Sequence, residues 1–338
     1  MKKPRHSNVA IFVPHNGCPH QCSFCNQREI TGQSYQPDSA DVISAAEEAK
    51  RSLGDRTRNA EIAFFGGSFT AIPREYMLKL LSAAHPYVRS GEFYGIRIST
   101  RPDCIDSEIL DILREYGVTS VELGAQSTDD NVLRLNKRGH TREDIIKASR
   151  LIREYGLSLG LQMMTGLYGS DDEKDVKTAQ DFISLSPDTV RIYPTVVLRG
   201  TELYELYKKG EYHPKDAAGS VELCSRLLLM FEEKNINVIR LGLHDSQSLR
   251  DNMAAGAFHP AFRELCHSRI LLRKAQALLK EAGTDSPRVT FAVAPASVSP
   301  FIGQKKENIK KLSESGIEPS VIKDDTLGKY EVRLAQSR

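Results

Sequence analysis

Short apolar segments alternate with amphipathic segments over the first two thirds of the chain, and this alternation limits the possible folds more than any other feature. Six apolar segments are predicted to be strands, at 9–13, 61–65, 94–99, 119–123, 158–163 and 188–193. Helical periodicity is found between them, at 38–53, 73–89, 106–116, 141–155 and 171–184. Repeated strand–helix units indicate a parallel sheet with right-handed crossover connections.

The predicted fold class is α/β, in the form of a partial (β/α)6 TIM-like barrel. The strands are interpreted as unbroken apolar runs, which suit a sheet that is covered on both faces or closed into a barrel. A doubly wound sheet has the same periodicity, so that alternative stays open at this point.

The pattern changes after residue 200. Helices are predicted at 200–209, 218–235 and 260–282, and a break follows at 283–288. The remaining segment contains a predicted strand ("VTFAVA"), a helix at 304–315 and a second strand ("YEVRL"). We therefore expect a core with a helical extension at 1–282 and a small α+β tail at 283–338.

Composition excludes several classes of protein. The 338 residues carry a formal net charge of +2, too little for nucleic-acid binding by overall charge, although a local basic patch remains possible. No apolar run approaches the roughly 20 residues of a membrane span. The first residues lack the long apolar region of a secretory signal, so a cytoplasmic location is expected, where disulfides are rare.

Half of the six cysteines lie in the stretch "GCPHQCSFC", as Cys18, Cys22 and Cys25. Cys-x3-Cys-x2-Cys on a loop lets three thiolates converge on one metal centre. A zinc site would need a fourth ligand, which His15 or His20 could supply. Ordinary iron–sulfur carriers use four cysteines, so three would leave one iron of a cubane open to a ligand. The scattered Cys104, Cys224 and Cys266 are expected in the core.

Polar residues and glycines follow the predicted strands, which is where a (β/α) barrel carries its functional groups. These candidates are Gly66, Gly67, Ser68, Ser99, Gln126, Arg138 and Gln162. Because they share the strand-end position with the cysteine loop, we expect one site at the carboxyl edge of the sheet.

The cysteine spacing after the first strand, with Phe24 before the last cysteine, resembles the radical S-adenosylmethionine (SAM) superfamily. The resemblance implies a 4Fe–4S cluster on Cys18, Cys22 and Cys25, with SAM on the open iron. Reductive cleavage of SAM would yield a 5′-deoxyadenosyl radical that abstracts hydrogen from the substrate. A reductant such as flavodoxin or ferredoxin is then implied.

The same resemblance implies that the strand-end candidates bind SAM. The backbone at Gly66, Gly67 and Ser68 would contact its methionine amino group. Gln126 would reach the ribose or carboxylate region and Arg138 would pair with the carboxylate. Gln162 would lie near the adenine, and Ser99 would be a further cofactor-binding residue. The resemblance assigns no catalytic side chain.

Within that superfamily, residues 8–275 are similar to the catalytic subunit of the Elongator complex. The similarity lies in "STRPDC", "VELGAQS", "NKRGHT" and "IYPTVVLRGTELYELYKKGEY". It implies tRNA or another RNA as substrate. The tail is too short for the acetyltransferase-like domain of such relatives, so none is expected. The alternatives are a radical SAM enzyme acting on a small, tetrapyrrole-type molecule, and a non-enzymatic, metal-stabilised RNA-binding protein.

The tail contains Ile302-Gly303-x-x-Lys306-x-x-Ile309, the spacing of a KH-type loop with lysine in place of the second glycine. KH loops clamp the nucleic-acid backbone. The other interpretation is an ordinary helix start with solvated lysines. Two interpretations of the tail thus stay open, a KH-like unit and an ordinary helix start.

Overall fold

The computed structural model describes residues 7–14, 21–25, 35–283 and 287–335. The strands are β1 (Ser7–Val13), β2 (Ala60–Gly66), β3 (Gly95–Thr100), β4 (Val118–Gln126), β5 (Ser158–Thr165), β6 (Thr189–Pro194), β7 (Val196–Leu198), β8 (Asn237–Leu241), β9 (Met253–Gly256), β10 (Arg288–Val293), β11 (Glu318–Lys323) and β12 (Val332–Ala335). The α-helices are α1 (Ser39–Leu53), α2 (Arg74–Arg89), α3 (Ser107–Glu115), α4 (Asp130–Leu135), α5 (Arg142–Glu154), α6 (Asp172–Leu185), α7 (Glu202–Lys208), α8 (Ala217–Glu232), α9 (Gln247–Asn252), α10 (Phe262–Ala282), α11 (Val298–Ile302) and α12 (Glu307–Ser313).

Seven parallel strands form the main sheet, in the order β1-β2-β3-β4-β5-β6-β8. The order follows the sequence without the reversal of a doubly wound sheet, and β1 and β8 lie at opposite edges, so the sheet is a partial barrel and the predicted fold class is confirmed. All six predicted strands are present. The seventh, β8, lies between two predicted helices and was not expected.

The two faces of the sheet differ in chemistry. Alternate residues of the strands, such as Ile62, Ile98 and Leu161, join the outer core cluster beneath the helices. The intervening residues form an inner face that includes charged side chains, among them the buried Glu61 and Arg97. The expectation of unbroken apolar strands is therefore wrong, because charged residues alternate with apolar ones along several strands.

Side-chain caps fix where the helices of the barrel begin. In each case an Asp or Thr accepts a hydrogen bond from an amide of the first turn, which stabilises the helix start. The capping residues of α1, α3, α4, α5 and α6 are Asp38, Asp106, Asp129, Thr141 and Asp171. The loops after β3, β4 and β5 each run from the end of a strand to a capped helix start, and this fixes the positions of their side chains.

Helix α10 joins the barrel to the tail. Its Cys266 and Ile270 belong to the barrel core, and Leu271 and Leu272 pack in a second cluster with Phe291 and other tail residues. The tail forms a three-stranded sheet in the order β11-β10-β12, in which β10 is parallel to β11 and antiparallel to β12. None of the helices in the described ranges combines the length and apolarity of a bilayer crossing.

Candidate functional site

The cysteine loop follows β1 at the carboxyl edge of the sheet. Cys22 is buried and Cys25 is partly exposed, and the Cys25 amide donates to the Cys22 carbonyl over 3.1 Å in a tight turn. Cys18, with His15 and His20, lies outside the described residues. Two of the three candidate cysteines thus lie on one tight turn.

Three contacts anchor this loop to distant parts of the chain. The Ser23 hydroxyl donates to Asn136 Oδ1 over 2.8 Å, and the Ser23 carbonyl accepts from the Leu203 amide over 2.8 Å. Asn136 is fully buried, and its Nδ2 donates to the Tyr168 carbonyl. Phe24 packs in an apolar cluster with Tyr168 and Leu203. The segment between Cys22 and Cys25 is therefore fixed against distant parts of the chain.

The Arg138 side chain directly contacts Cys22, one of the three candidate metal ligands. Its Nη1 donates to Cys22 Sγ over 3.1 Å, and its Nη2 donates to the Gly124 carbonyl at the end of β4. Arg138 is buried. Since cysteine binds metals as an anionic thiolate, a guanidinium at the sulfur offsets the charge of that ligand.

Arg101 holds Arg138 in turn. Its guanidinium pairs with both carboxylate oxygens of Asp103 at 2.9 Å, and it also donates to the Arg138 carbonyl. Sequence reasoning did not select Arg101 or Asp103. Their position after β3, on either side of Pro102, was the available signal, but their contact with a residue 37 positions along the chain leaves no trace in the sequence.

The loop after β2 contacts the end of β1. Gly66 has φ +117°, and a Cβ there would lie 2.8 Å from the Val13 carbonyl oxygen. The Gly67 amide donates to that same oxygen over 3.1 Å. Ser68 Oγ lies 2.8 Å from Thr100 Oγ1 and accepts from the Arg101 amide. Because Gly66 and Gly67 lack side chains, the loop after β2 can lie directly against the end of β1, where the cysteine loop begins.

Several buried polar atoms at this edge lack a hydrogen-bond partner within the described ranges. They are Ser99 Oγ, Arg101 Nη1, Gln126 Oε1 and Arg138 Nε. Buried polar atoms are nearly always paired, so unpaired ones need an explanation. Gln126 also has a left-handed backbone, with φ +69°. A polar ligand at this edge would supply the missing partners, and the soft thiolates beside it suit zinc or an iron–sulfur cluster.

His140 lies behind Arg138. Its Nε2 is 3.1 Å from the Ala125 carbonyl oxygen. Burial, and then the charges of Arg138 and Arg101, lower the pKa of His140 to about 4. At neutral pH the imidazole is therefore uncharged.

Cys104 is at the same edge. Burial, followed by the Asp103 carboxylate, raises the pKa of the Cys104 thiol. It was expected in the core, as were Cys224 and Cys266; those two are fully buried, but Cys104 is partly exposed.

The inner face of the barrel carries a charge network that sequence reasoning missed. Arg97 donates to Glu61 over 2.6 Å and to Glu122 over 2.9 Å. Glu122 also accepts both donors of the Arg191 fork, at 2.7 and 2.9 Å, and Gln162 Nε2 at 3.1 Å. Gln162, a candidate from the sequence, thus lies in the interior of the barrel as part of this network.

Aromatic groups accompany the charges near the carboxyl end of the inner face. Phe12 of β1 is 41% exposed and pairs in register with Phe65 of β2. The Arg191 guanidinium lies 5.3 Å from the Phe65 ring centre. Burial raises the pKa of Tyr193, so its hydroxyl stays protonated. The inner face therefore offers ring surfaces beside fixed charges.

A cavity of about 680 Å³ is lined by the loop after β5 and lies next to Tyr168 and Tyr212. Asp171, Asp172 and Asp175 are among its lining residues. Burial raises the pKa of Asp175 to about 6. His213 and Lys215 also line the cavity, and Lys215 pairs with Asp172.

Comparison with known proteins identifies related chains. Residues 12–182 match the family model "Radical SAM superfamily", and residues 187–271 match "Radical_SAM C-terminal domain". The tRNA uridine(34) acetyltransferase of Methanocaldococcus jannaschii is 33% identical over 257 residues, 64% of this chain and 47% of the relative. Human Elongator complex protein 3 is 31% identical over 267 residues, 66% of this chain and 49% of the relative. The chain spans about half the length of these curated relatives.

A solved structure shares the fold. Elp3 of Methanocaldococcus infernus, with an N-terminal deletion, superposes with a TM-score of 0.60 at 24% identity, over 82% of this chain and 63% of that one. The superfamily match also decides against the interpretation as a non-enzymatic RNA-binding protein. The chain belongs to the radical SAM superfamily and is a radical SAM enzyme.

Proposed function

We propose that this enzyme holds a 4Fe–4S cluster on Cys18, Cys22 and Cys25, binds SAM beside it, and acts on tRNA. The observation that carries the proposal is the buried Cys22 thiol, held by Arg138 among unpaired polar atoms at the carboxyl edge of the barrel. When bound, the cluster and SAM would supply the 5′-deoxyadenosyl radical chemistry of the superfamily, with an electron from a flavodoxin- or ferredoxin-type reductant.

The residues of this chain would bind SAM and orient it. Gly66, Gly67 and Ser68 would contact SAM through the backbone, because the Ser68 hydroxyl is already engaged by Thr100. Ser99 and Gln126 would contribute their unpaired oxygens, and Arg138 its unpaired Nε. Gln162, which donates to Glu122 in the charge network, would form the bottom of the SAM pocket.

The inner face supports a nucleobase as the target. Phe12 offers an exposed ring at the carboxyl end of β1, beside Phe65 and the Arg191 guanidinium. Unstacked bases are commonly held against aromatic rings and guanidinium planes. The names of the relatives point to uridine as the first nucleoside to inspect.

The test reconstitutes the protein anaerobically and measures 5′-deoxyadenosine with SAM and reductant, followed by mass spectrometry of tRNA nucleosides from cells with and without the protein. We expect 5′-deoxyadenosine only with both additions, and one nucleoside that changes. No 5′-deoxyadenosine would contradict the SAM chemistry. Its formation with a tetrapyrrole-type substrate, but no tRNA change, would favour the small-molecule alternative.

Arg138→Met is expected to lower the rate of 5′-deoxyadenosine formation by roughly 10- to 100-fold, the usual effect of losing a group that orients a metal ligand. Arg138 would act in two ways, by positioning Cys22 through its Nη1 and by contacting SAM through its Nε. Iron content and the electron paramagnetic resonance spectrum of the reduced cluster should change as well. Arg138→Lys should recover part of the rate.

The matched control is Arg134→Met, which removes an exposed arginine of α4 that contacts Asn131. It should leave the rate and the spectrum unchanged. An Arg138→Met protein with normal iron, spectrum and rate would contradict a positioning role.

A further inference from the structure

The tail contains a strand, two short helices and a second strand that pack as one unit. Strands β10 and β11 are parallel neighbours, and α11 and α12 lie between them in sequence. Phe291, Phe301 and Leu312 of this unit share a core with Leu271 and Leu272 of α10. The loop between the two helices is the Gly303–Lys306 segment that the sequence singles out.

This loop is firmly anchored. The side-chain amide of the buried Asn308 donates to the carbonyls of Ser268 at 3.1 Å and Phe301 at 3.0 Å. Gly303 has φ +78°, and a Cβ there would lie 3.1 Å from the Asn308 amide nitrogen. Because Ser268 belongs to α10, the loop is attached to the helix that also packs in the barrel core.

The backbone of the loop is strained at two exposed lysines. Lys305 has φ +51° and Lys306 has φ +61°, both left-handed. That conformation costs a non-glycine residue roughly 1–2 kcal/mol. Strain that persists at an exposed position is a reason to consider a functional role. Lys306 also adopts the left-handed conformation that glycine favours. At that position the loop therefore differs from a Gly-x-x-Gly loop in its side chain and not in its backbone.

The loop also concentrates unpaired positive charge. Lys305, Lys306 and Lys310 are exposed, and none makes an ion pair within the part of the chain that the structure describes. The nearby Glu307 is paired with Lys311 over 2.5 Å. Lys306 directly precedes α12 and Lys310 lies in its first turns, so the unpaired charges are concentrated at the start of this helix.

We propose that this basic loop, defined as residues 303–306 with Lys310, binds the phosphate backbone of a single-stranded RNA segment. The loop is rigid, so little ordering opposes binding. A single strand is the expected partner, because the loop has the spacing of a KH-type loop and such loops clamp the backbone of single-stranded nucleic acid. The inference rests on the proposed function for RNA as the substrate class, but not for the cluster chemistry.

The test compares the full-length protein with a Lys305→Gln/Lys306→Gln/Lys310→Gln variant. Binding of tRNA and of a labelled oligouridine is measured over a series of salt concentrations. Each phosphate contact on a single strand contributes about 0.7 to the slope of log K against log salt, so loss of three should lower the slope by about 2. Affinity should fall about tenfold or more at moderate salt.

The matched control, Lys79→Gln/Lys147→Gln/Lys234→Gln, removes the same charge from exposed lysines elsewhere. It should bind RNA almost as the unmodified protein does. Equal slopes for the loop variant and the unmodified protein, or equal losses in both variants, would overturn the inference. Formation of 5′-deoxyadenosine without RNA should be unaffected in both variants. Its absence from the unmodified protein would contradict the proposed function alone, and normal formation with no RNA binding would contradict the basic loop and the RNA substrate together.

Discussion

Cys22→Ala is expected to reduce bound iron after anaerobic reconstitution from about four per chain to almost none, since a 4Fe–4S cluster depends on its thiolate ligands. Acid-labile sulfide and 5′-deoxyadenosine formation should disappear with the iron. Cys22 is buried against Arg138, so no water-exposed group can readily replace its sulfur. Iron and sulfide analysis of the purified protein checks this result.

Two other cysteines provide the controls. Cys224→Ala removes a fully buried core thiol and should retain the cluster. Cys104→Ala is more discriminating, because Cys104 is a further cysteine at the strand-end edge and its amide donates to the Arg101 carbonyl. We expect it to retain iron. Loss of iron on replacing Cys104 would indicate a four-cysteine site with no iron open to SAM, and iron retained in Cys22→Ala would exclude Cys22 as a ligand.

The positions of the main strands could be predicted because each apolar run is bounded by strong helical periodicity. β8 was missed because it has only five residues and follows directly on a long helical pattern. In the tail, β11 was missed because its burial alternates weakly and Pro319 interrupts it.

The candidate site was predictable only as a set of strand ends. The three-cysteine spacing and the glycines after β2 are local patterns, so they are visible in the sequence. The contacts of Arg138 with Cys22 and of Ser23 with Asn136 join residues more than a hundred positions apart. No periodicity records such contacts, and the role of each side chain had to come from the fold.

The inner charge network was missed for a different reason. Glu61, Arg97 and Glu122 each stand in a strand that is otherwise largely apolar, so a single charged residue looked like an exception. In the fold they meet across three adjacent strands, and each neutralises another. Charged residues in successive strands of a barrel are therefore better interpreted together than one by one.

Arg97→Met is expected to lower the free energy of unfolding by about 3–5 kcal/mol, the usual cost of removing one partner from a buried ion pair. Glu61 is fully buried and would lose its guanidinium partner, while Thr119 and Ser120 would still donate to it. Glu122 would keep Arg191. Urea unfolding followed by circular dichroism measures the change.

Two comparisons separate this cause from a general loss of packing. Arg97→Met/Glu61→Met should recover part of the lost stability, because the double variant no longer buries the Glu61 charge beside a methionine. Arg74→Met breaks the exposed pair with Glu108 and should cost less than about 1 kcal/mol. Two results would contradict this prediction: a loss of unfolding free energy in Arg97→Met as small as in Arg74→Met, or a double variant no more stable than the single one. Either would show that the buried ion pairs of the inner face do not stabilise the barrel.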